Sequence, residues 1–153
     1  MRTVNFRDDD ELPKTVEGVV EEGDHRGHAL GFPTANISLD AECVLPKDGI
    51  YAGQVVRDNG ATYVAAISLG ARPTYYRDGG ARILEAHLLD FEGGLYGERL
   101  RVILELSIRS QVAFDSNEEL TAQIRADVAA VRQYASRLAP RGDSARAKTS
   151  DDL

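Results

Sequence analysis

The chain has 153 residues, 42% of them hydrophobic, with a formal net charge of −7 and a single cysteine, Cys43. That length predicts one domain with its own core. The acidic balance argues against a general nucleic-acid binder, one cysteine excludes an internal disulfide or a four-cysteine zinc site, and no apolar run is long enough to span a membrane.

In chain order, residues 1–11 are charged, with few apolar anchors, and are expected to form a flexible arm. They include no apolar signal-peptide core, so a cytoplasmic protein is expected. The folded part is expected over residues 12–138, with a polar, disordered tail over 139–153. "TVEGVVEE" reads as a first strand, short and β-branched. "GIYAGQVVR" and "ATYVAAISLG" flank "DNG", a hairpin turn signal. "ARILEAHLLDF" follows the glycine-rich "YRDGG". Alternation there puts Ile83, Glu85 and His87 on one face and Leu84 and Ala86 on the other, without saying which is inside. "RLRVILELSIR" alternates so that Leu100, Val102, Leu104, Leu106 and Ile108 share a face. From Asn117 the spacing of Leu120, Ile124, Val128, Val131, Ala135 and Leu138 predicts an amphipathic helix, and Ser116 with Glu119 forms a capping-box pattern at its start. Short strands with close turns predict an antiparallel barrel or sandwich, one face closed by this helix.

Phosphate-loop, dinucleotide-fingerprint, serine-hydrolase and zincin patterns are absent. His25, His28 and His87 are too scattered to propose a zinc site. What stands out is "GHALGFPTANI". Pro33 fixes its own φ and pushes Phe32 towards extended geometry, and Gly31 permits a close backbone approach. Thr34 and Asn36, two apart in an extended segment, point to one side. A hydroxyl and an amide carbonyl there suit a hard cation that takes its other ligands from phosphates and water. The alternative is a polar strand end after a proline turn. An acidic protein can still hold a nucleotide through backbone N–H groups and such an ion.

"EGVVEEGDHRGHALGFPTANI" resembles the opening of the riboflavin kinase domain. The resemblance continues in order through "DGIYAGQV", "ISLGARPTY", "LEAHLLDFEGGLYGERLRV" and "IRSQVAFDSNEELTAQIRAD". It implies a six-stranded antiparallel barrel with a C-terminal helix, and transfer of the γ-phosphate of ATP to riboflavin, giving FMN and ADP. It implies magnesium and nucleotide phosphates at Thr34 and Asn36, with Glu85 as the catalytic glutamate. Gly23 and His28, in a flap over residues 23–30, and Leu88, Asp90 and Tyr96 fall at nucleotide positions. Arg109, Val112 and Phe114 fall at flavin positions, and Phe114 is also placed to staple the helix. The chain departs from the family at His28, where Arg or Lys is frequent, and in "IRSQVAF", which lacks a Glu and a Lys common before the phenylalanine. A monomer without nucleic-acid or membrane partners is expected, and FAD synthesis by this chain is not. A catalytically weak flavin- or FMN-binding module, or a kinase acting on a modified flavin, are the alternatives.

Overall fold

The computed structural model describes residues 12–22, 32–71 and 82–138. The strands are β1 (Lys14–Glu21), β2 (Ala35–Leu39), β3 (Gly49–Val56), β4 (Thr62–Ala71), β5 (Arg82–Leu88) and β6 (Arg99–Arg109), followed by α1 (Asn117–Leu138). All neighbours are antiparallel, in the order β1-β2-β5-β4-β3-β6, and β6 pairs with β1 to close a barrel. This is the expected six-stranded barrel with one C-terminal helix. β2, of five residues, is the strand that the residue pattern had shown only as an extended segment around Thr34 and Asn36.

The barrel interior is built by alternation. Leu84, Ala86 and Leu88 of β5 meet Ala65, Ile67 and Leu69 of β4 inside, with Leu100, Val102 and Leu104 of β6 opposite. Each fully buried Leu, Ile or Val contributes about 1.5–3 kcal/mol. Ile83, Glu85 and His87 therefore stand on the outer wall.

β6 departs from its even alternation. Gly53 pairs with Leu104, but its neighbour Ala52 pairs with Leu106, so the register slips by one residue there, and again between Ile50 and Tyr51. Adjacent residues of β3 face opposite ways, so Leu106 is turned to the face opposite Leu104 and is 40% exposed. The expectation of one continuous face from Leu100 to Ile108 is corrected accordingly. These two bulges turn the end of β6 outward. Ile108 joins the outer cluster under the helix, and Arg109 reaches α1.

The first slip lies beside Gly53. A Cβ on Gly53 would stand 1.9 Å from the carbonyl oxygen of Ile103, so backbone, not a flexible side chain, blocks it. Gly53→Ala is expected to destabilise the barrel by about 3 kcal/mol, the upper part of the usual overpacking range. Chemical denaturation of both proteins measures this.

Ser116 caps α1: its Oγ accepts the Glu119 N–H at 3.1 Å. The reciprocal bond goes one residue further back, since Glu119 Oε1 accepts the N–H of Asp115, not of Ser116. Glu118 and Glu119 in the first turn and Arg137 in the last suit the helix dipole. Val131 and, less deeply, Val128 and Tyr134 pack on Ala52, Val64, Ala66, Leu89 and Ile108. The helix thus covers the outer wall of β3, β4 and β6, while its first half extends past that contact.

Candidate active site

One row of paired residues crosses the outer wall of five strands. Asn36 of β2 stands opposite Glu85 of β5, Glu85 opposite Ser68 of β4, Ser68 opposite Ile50 of β3, and Ile50 opposite Arg109 of β6. Directly opposed residues share a face, with Cβ atoms about 4.5–5.5 Å apart. The barrel's hydrogen-bond register therefore brings together residues far apart in sequence, and the β6 bulges put Arg109 at the end of the row.

Two cavities meet along this row. The smaller, about 430 Å³, lies at the open end of the barrel between β1, the turn before β2, the end of β5 and the segment 91–96. Thr34, Asn36, Leu88, Phe91 and Tyr96 line it. The larger, about 700 Å³, lies between the outer wall and the start of α1. Glu85, His87, Arg109, Gln111, Val112, Phe114, Leu120, Ile124 and Asp127 line it. Thr34 lines both. Asn36 belongs to the smaller cavity and its cross-strand partner Glu85 to the larger.

Asn36 is 6% exposed. Among the described residues its side-chain amide has no hydrogen-bond partner. A buried polar group of this kind calls for a ligand, water or ion. Thr34, exposed, presents its hydroxyl two residues earlier on the same side. Glu21, Glu22 and Glu92 line the same cavity, so a phosphate bound there needs a cation between it and the acidic wall. Two neutral oxygen donors fit magnesium, which keeps waters and takes further ligands from phosphate. Among the described residues, no group of three or more His, Cys, Asp and Glu forms a metal cage.

The far wall of this cavity is held from behind. Phe91 lies edge-to-face against Tyr63 and under the Arg57 guanidinium, 5.4 Å from its ring centre. Arg57 in turn makes a two-pronged pair with Glu98, at 3.0 and 2.9 Å. The hydrogen bond from Arg57 holds the Glu98 carboxyl below its ordinary pKa, helped by the Asp58 N–H. A lowered carboxyl pKa adds stability above the unfolded-state value, and that stability is lost as pH falls through the folded-state value. Acid titration of folding should therefore show less loss of stability in Glu98→Gln than in the parent chain; equal acid sensitivity would remove Glu98 from that transition.

In the larger cavity the cationic group is already engaged. Arg109 donates from Nε and Nη2 to both oxygens of Asp127, at 2.9 and 2.8 Å, and Gln123 adds a third bond to that carboxylate. Asp127 is 7% exposed by side chain and Arg109 21%. The guanidinium also lies 5.9 Å from the ring centre of Phe114. Gln111 donates to Ser68 Oγ and to the carbonyl of Leu69. The remaining wall is mostly apolar: Phe32, Ile50, Ile67, Val112, Leu120 and Ile124. Such a lining suits a flat aromatic ligand with a few polar edges.

Most residues singled out in the sequence thus gather in two adjoining spaces. Thr34, Asn36, Leu88 and Tyr96 line the smaller, and Glu85, Arg109, Val112 and Phe114 the larger, with Thr34 shared. Asp90 is placed apart, in the turn after β5 with φ of 60°, its carboxylate paired with Arg132 of α1 and pulled below the ordinary range mainly by that hydrogen bond. Gly23, His28 and the rest of the flap lie outside the described residues, as do the N-terminal arm and the tail. Sequence reasoning missed Phe91, Gln111 and Asp127. Asp127 carried a usable signal: it is an acid on the apolar stripe of the helix, between Ile124 and Val131.

Comparison with known proteins bears on the family and the fold. The riboflavin kinase (Flavokinase) family model matches residues 11–135. A bifunctional riboflavin kinase/FMN adenylyltransferase of Listeria monocytogenes is 36% identical over 126 residues, which is 82% of this chain and 40% of that protein. The chain therefore spans about two fifths of the length of such relatives. Among solved structures, a Streptococcus pneumoniae protein described as a macrolide-efflux protein matches with a TM-score of 0.72 and 34% identity, over 79% of this chain and 39% of that one. Riboflavin kinase from Trypanosoma brucei matches with a TM-score of 0.58 and 28% identity, over 81% of this chain and 80% of that one. With the family model covering most of the chain and the barrel, helix and paired cavities in place, the chain belongs to the riboflavin kinase family.

Proposed function

We propose that this chain is a riboflavin kinase, transferring the γ-phosphoryl group of ATP to the terminal ribityl hydroxyl of riboflavin to give FMN and ADP. The observation that carries the reading is the partition between the cavities. Thr34 lines both, and Asn36 and Glu85 face each other across the β2–β5 ladder, one on each side. Phosphoryl transfer needs two substrates end to end, with donor and acceptor oxygens in line. The smaller cavity would take the nucleotide, its phosphates towards Thr34 and Asn36. The larger would take the flavin ring between Phe114, Val112 and the α1 face, with the ribityl chain directed to Glu85.

Thr34 and Asn36 would hold magnesium, which when bound neutralises charge on the β- and γ-phosphates. Glu85 orients the ribityl hydroxyl and accepts its proton as that oxygen bonds to the γ-phosphorus and the bond to ADP breaks. A monomer is proposed as the acting unit. A reducing cytoplasm is the proposed setting for a chain with a single free cysteine.

Incubation of the purified chain with riboflavin, ATP and magnesium should yield FMN by chromatography, and a chelator should abolish it. Flavin binding without FMN, whatever common divalent ion is supplied, would instead assign the chain as a flavin-binding module.

A further inference from the structure

The β2–β5 ladder stops one rung short of Thr34. Its last backbone pair is Ala35 with Ala86. The next rung would join Thr34 to His87, and the residue beyond, Pro33, has no N–H to donate. A side chain takes over at this point. His87 Nδ1 lies 2.7 Å from the carbonyl oxygen of Pro33. A carbonyl only accepts, so Nδ1 carries the proton and is the donor. The carbonyl belongs to the Pro33–Thr34 peptide, so fixing it fixes the backbone on which the Thr34 hydroxyl is mounted. The imidazole also meets the Phe32 ring edge-to-face, with centroids 5.8 Å apart at 77°. His87 lies two residues beyond Glu85 on the same outer face and lines the same cavity.

We propose that His87 is a positioning residue for phosphoryl transfer: its Nδ1–H···O=C bond to Pro33 locks the Phe32–Pro33–Thr34 turn onto the strand that carries Glu85. In this way the phosphate-side oxygen donors and the base keep a fixed spacing, and one hydrogen bond serves where the sheet cannot. The inference rests on the kinase reading for its second substrate; because Phe32 and His87 also line the larger cavity, the nucleotide side is read separately, by magnesium-ADP binding without flavin.

Two variants separate the hydrogen bond from the ring contact. His87→Phe keeps an aromatic edge against Phe32 and removes the donor. His87→Asn removes the ring but keeps an N–H one bond beyond Cγ, where Nδ1 stands. The measurements are calorimetric binding of magnesium-ADP and steady-state KM values for both substrates, with thermal unfolding alongside. His87→Phe should weaken magnesium-ADP binding and raise the KM for magnesium-ATP, each by about 3- to 10-fold, the range one hydrogen bond supports. The KM for riboflavin should change less than the KM for magnesium-ATP, because His87→Phe keeps an aromatic edge against Phe32 on the wall of the larger cavity while the lost bond anchors the turn that carries Thr34. His87→Asn should restore most of the nucleotide affinity. Unchanged nucleotide binding in His87→Phe, or equal loss in both variants, would overturn the proposal in favour of simple packing. Calorimetry needs no turnover, so a parent chain that binds magnesium-ADP but makes no FMN would sink the kinase reading while His87 is still judged.

Discussion

Glu85→Gln is expected to lower kcat by about 10²–10⁴, the range for loss of a positioned general base, while magnesium-nucleotide affinity stays close to that of the parent chain. The split follows from the geometry. Glu85 lines the larger cavity only, whereas the oxygen donors for a phosphate-bound ion line the smaller. Glutamine keeps the shape and a hydrogen-bonding oxygen but cannot accept the hydroxyl proton at neutral pH. Thr34→Ala should behave differently, weakening nucleotide binding as well as turnover, because Thr34 stands at the junction of the cavities. Nucleotide affinity comes from equilibrium titration and kcat from FMN formation at saturating substrates. A Glu85→Gln protein with near-parental kcat would remove Glu85 from the chemistry.

Alternation made β3, β4, β5 and the first half of β6 legible, because each has one face in the barrel core and period-2 patterning reports that directly. β2 was less legible: it is short and follows a proline, and its Ala35 and Ile37 are too few to set a period. The far end of β6 misled because a bulge is a property of two paired strands. Nothing in "RLRVILELSIR" alone marks the slip that places Leu106 opposite Ala52. The site divides in the same way. The motifs singled out Thr34, Asn36 and Glu85; the register puts Asn36 and Glu85 in one row, and the turn before β2 leaves Thr34 on the wall of both cavities. Asp127 was missed because a lone acid on a helix reads as surface until its partner, 18 residues earlier at Arg109, is brought against it. The flap assignment, with Gly23 and His28, falls outside the described residues.

The Arg109–Asp127 pair should carry the largest stability effect of any single side-chain interaction described in the larger cavity. Asp127→Ala strips the guanidinium of both carboxylate bonds and removes the acceptor used by Gln123. Removing one partner of a buried pair costs about 3–5 kcal/mol. Arg109 retains 21% side-chain exposure, so water can meet part of its need and the lower end, about 3 kcal/mol, is expected. For a chain of this size that is a fall in Tm of roughly 6–12 °C. The same pair holds the segment from Arg109 to Phe114 against α1, so the KM for riboflavin should rise in Asp127→Ala. An apolar double replacement, Arg109→Met with Asp127→Leu, distinguishes the two roles. Well-packed apolar substitutes for a buried pair are often neutral in stability, so the double variant should recover most of the lost Tm. It should not recover flavin affinity if the charged clamp shapes the ring site and holds Phe114 beneath the guanidinium. Recovery of both would reduce Arg109 and Asp127 to a structural cross-brace and leave flavin recognition to the apolar wall and the loop backbone.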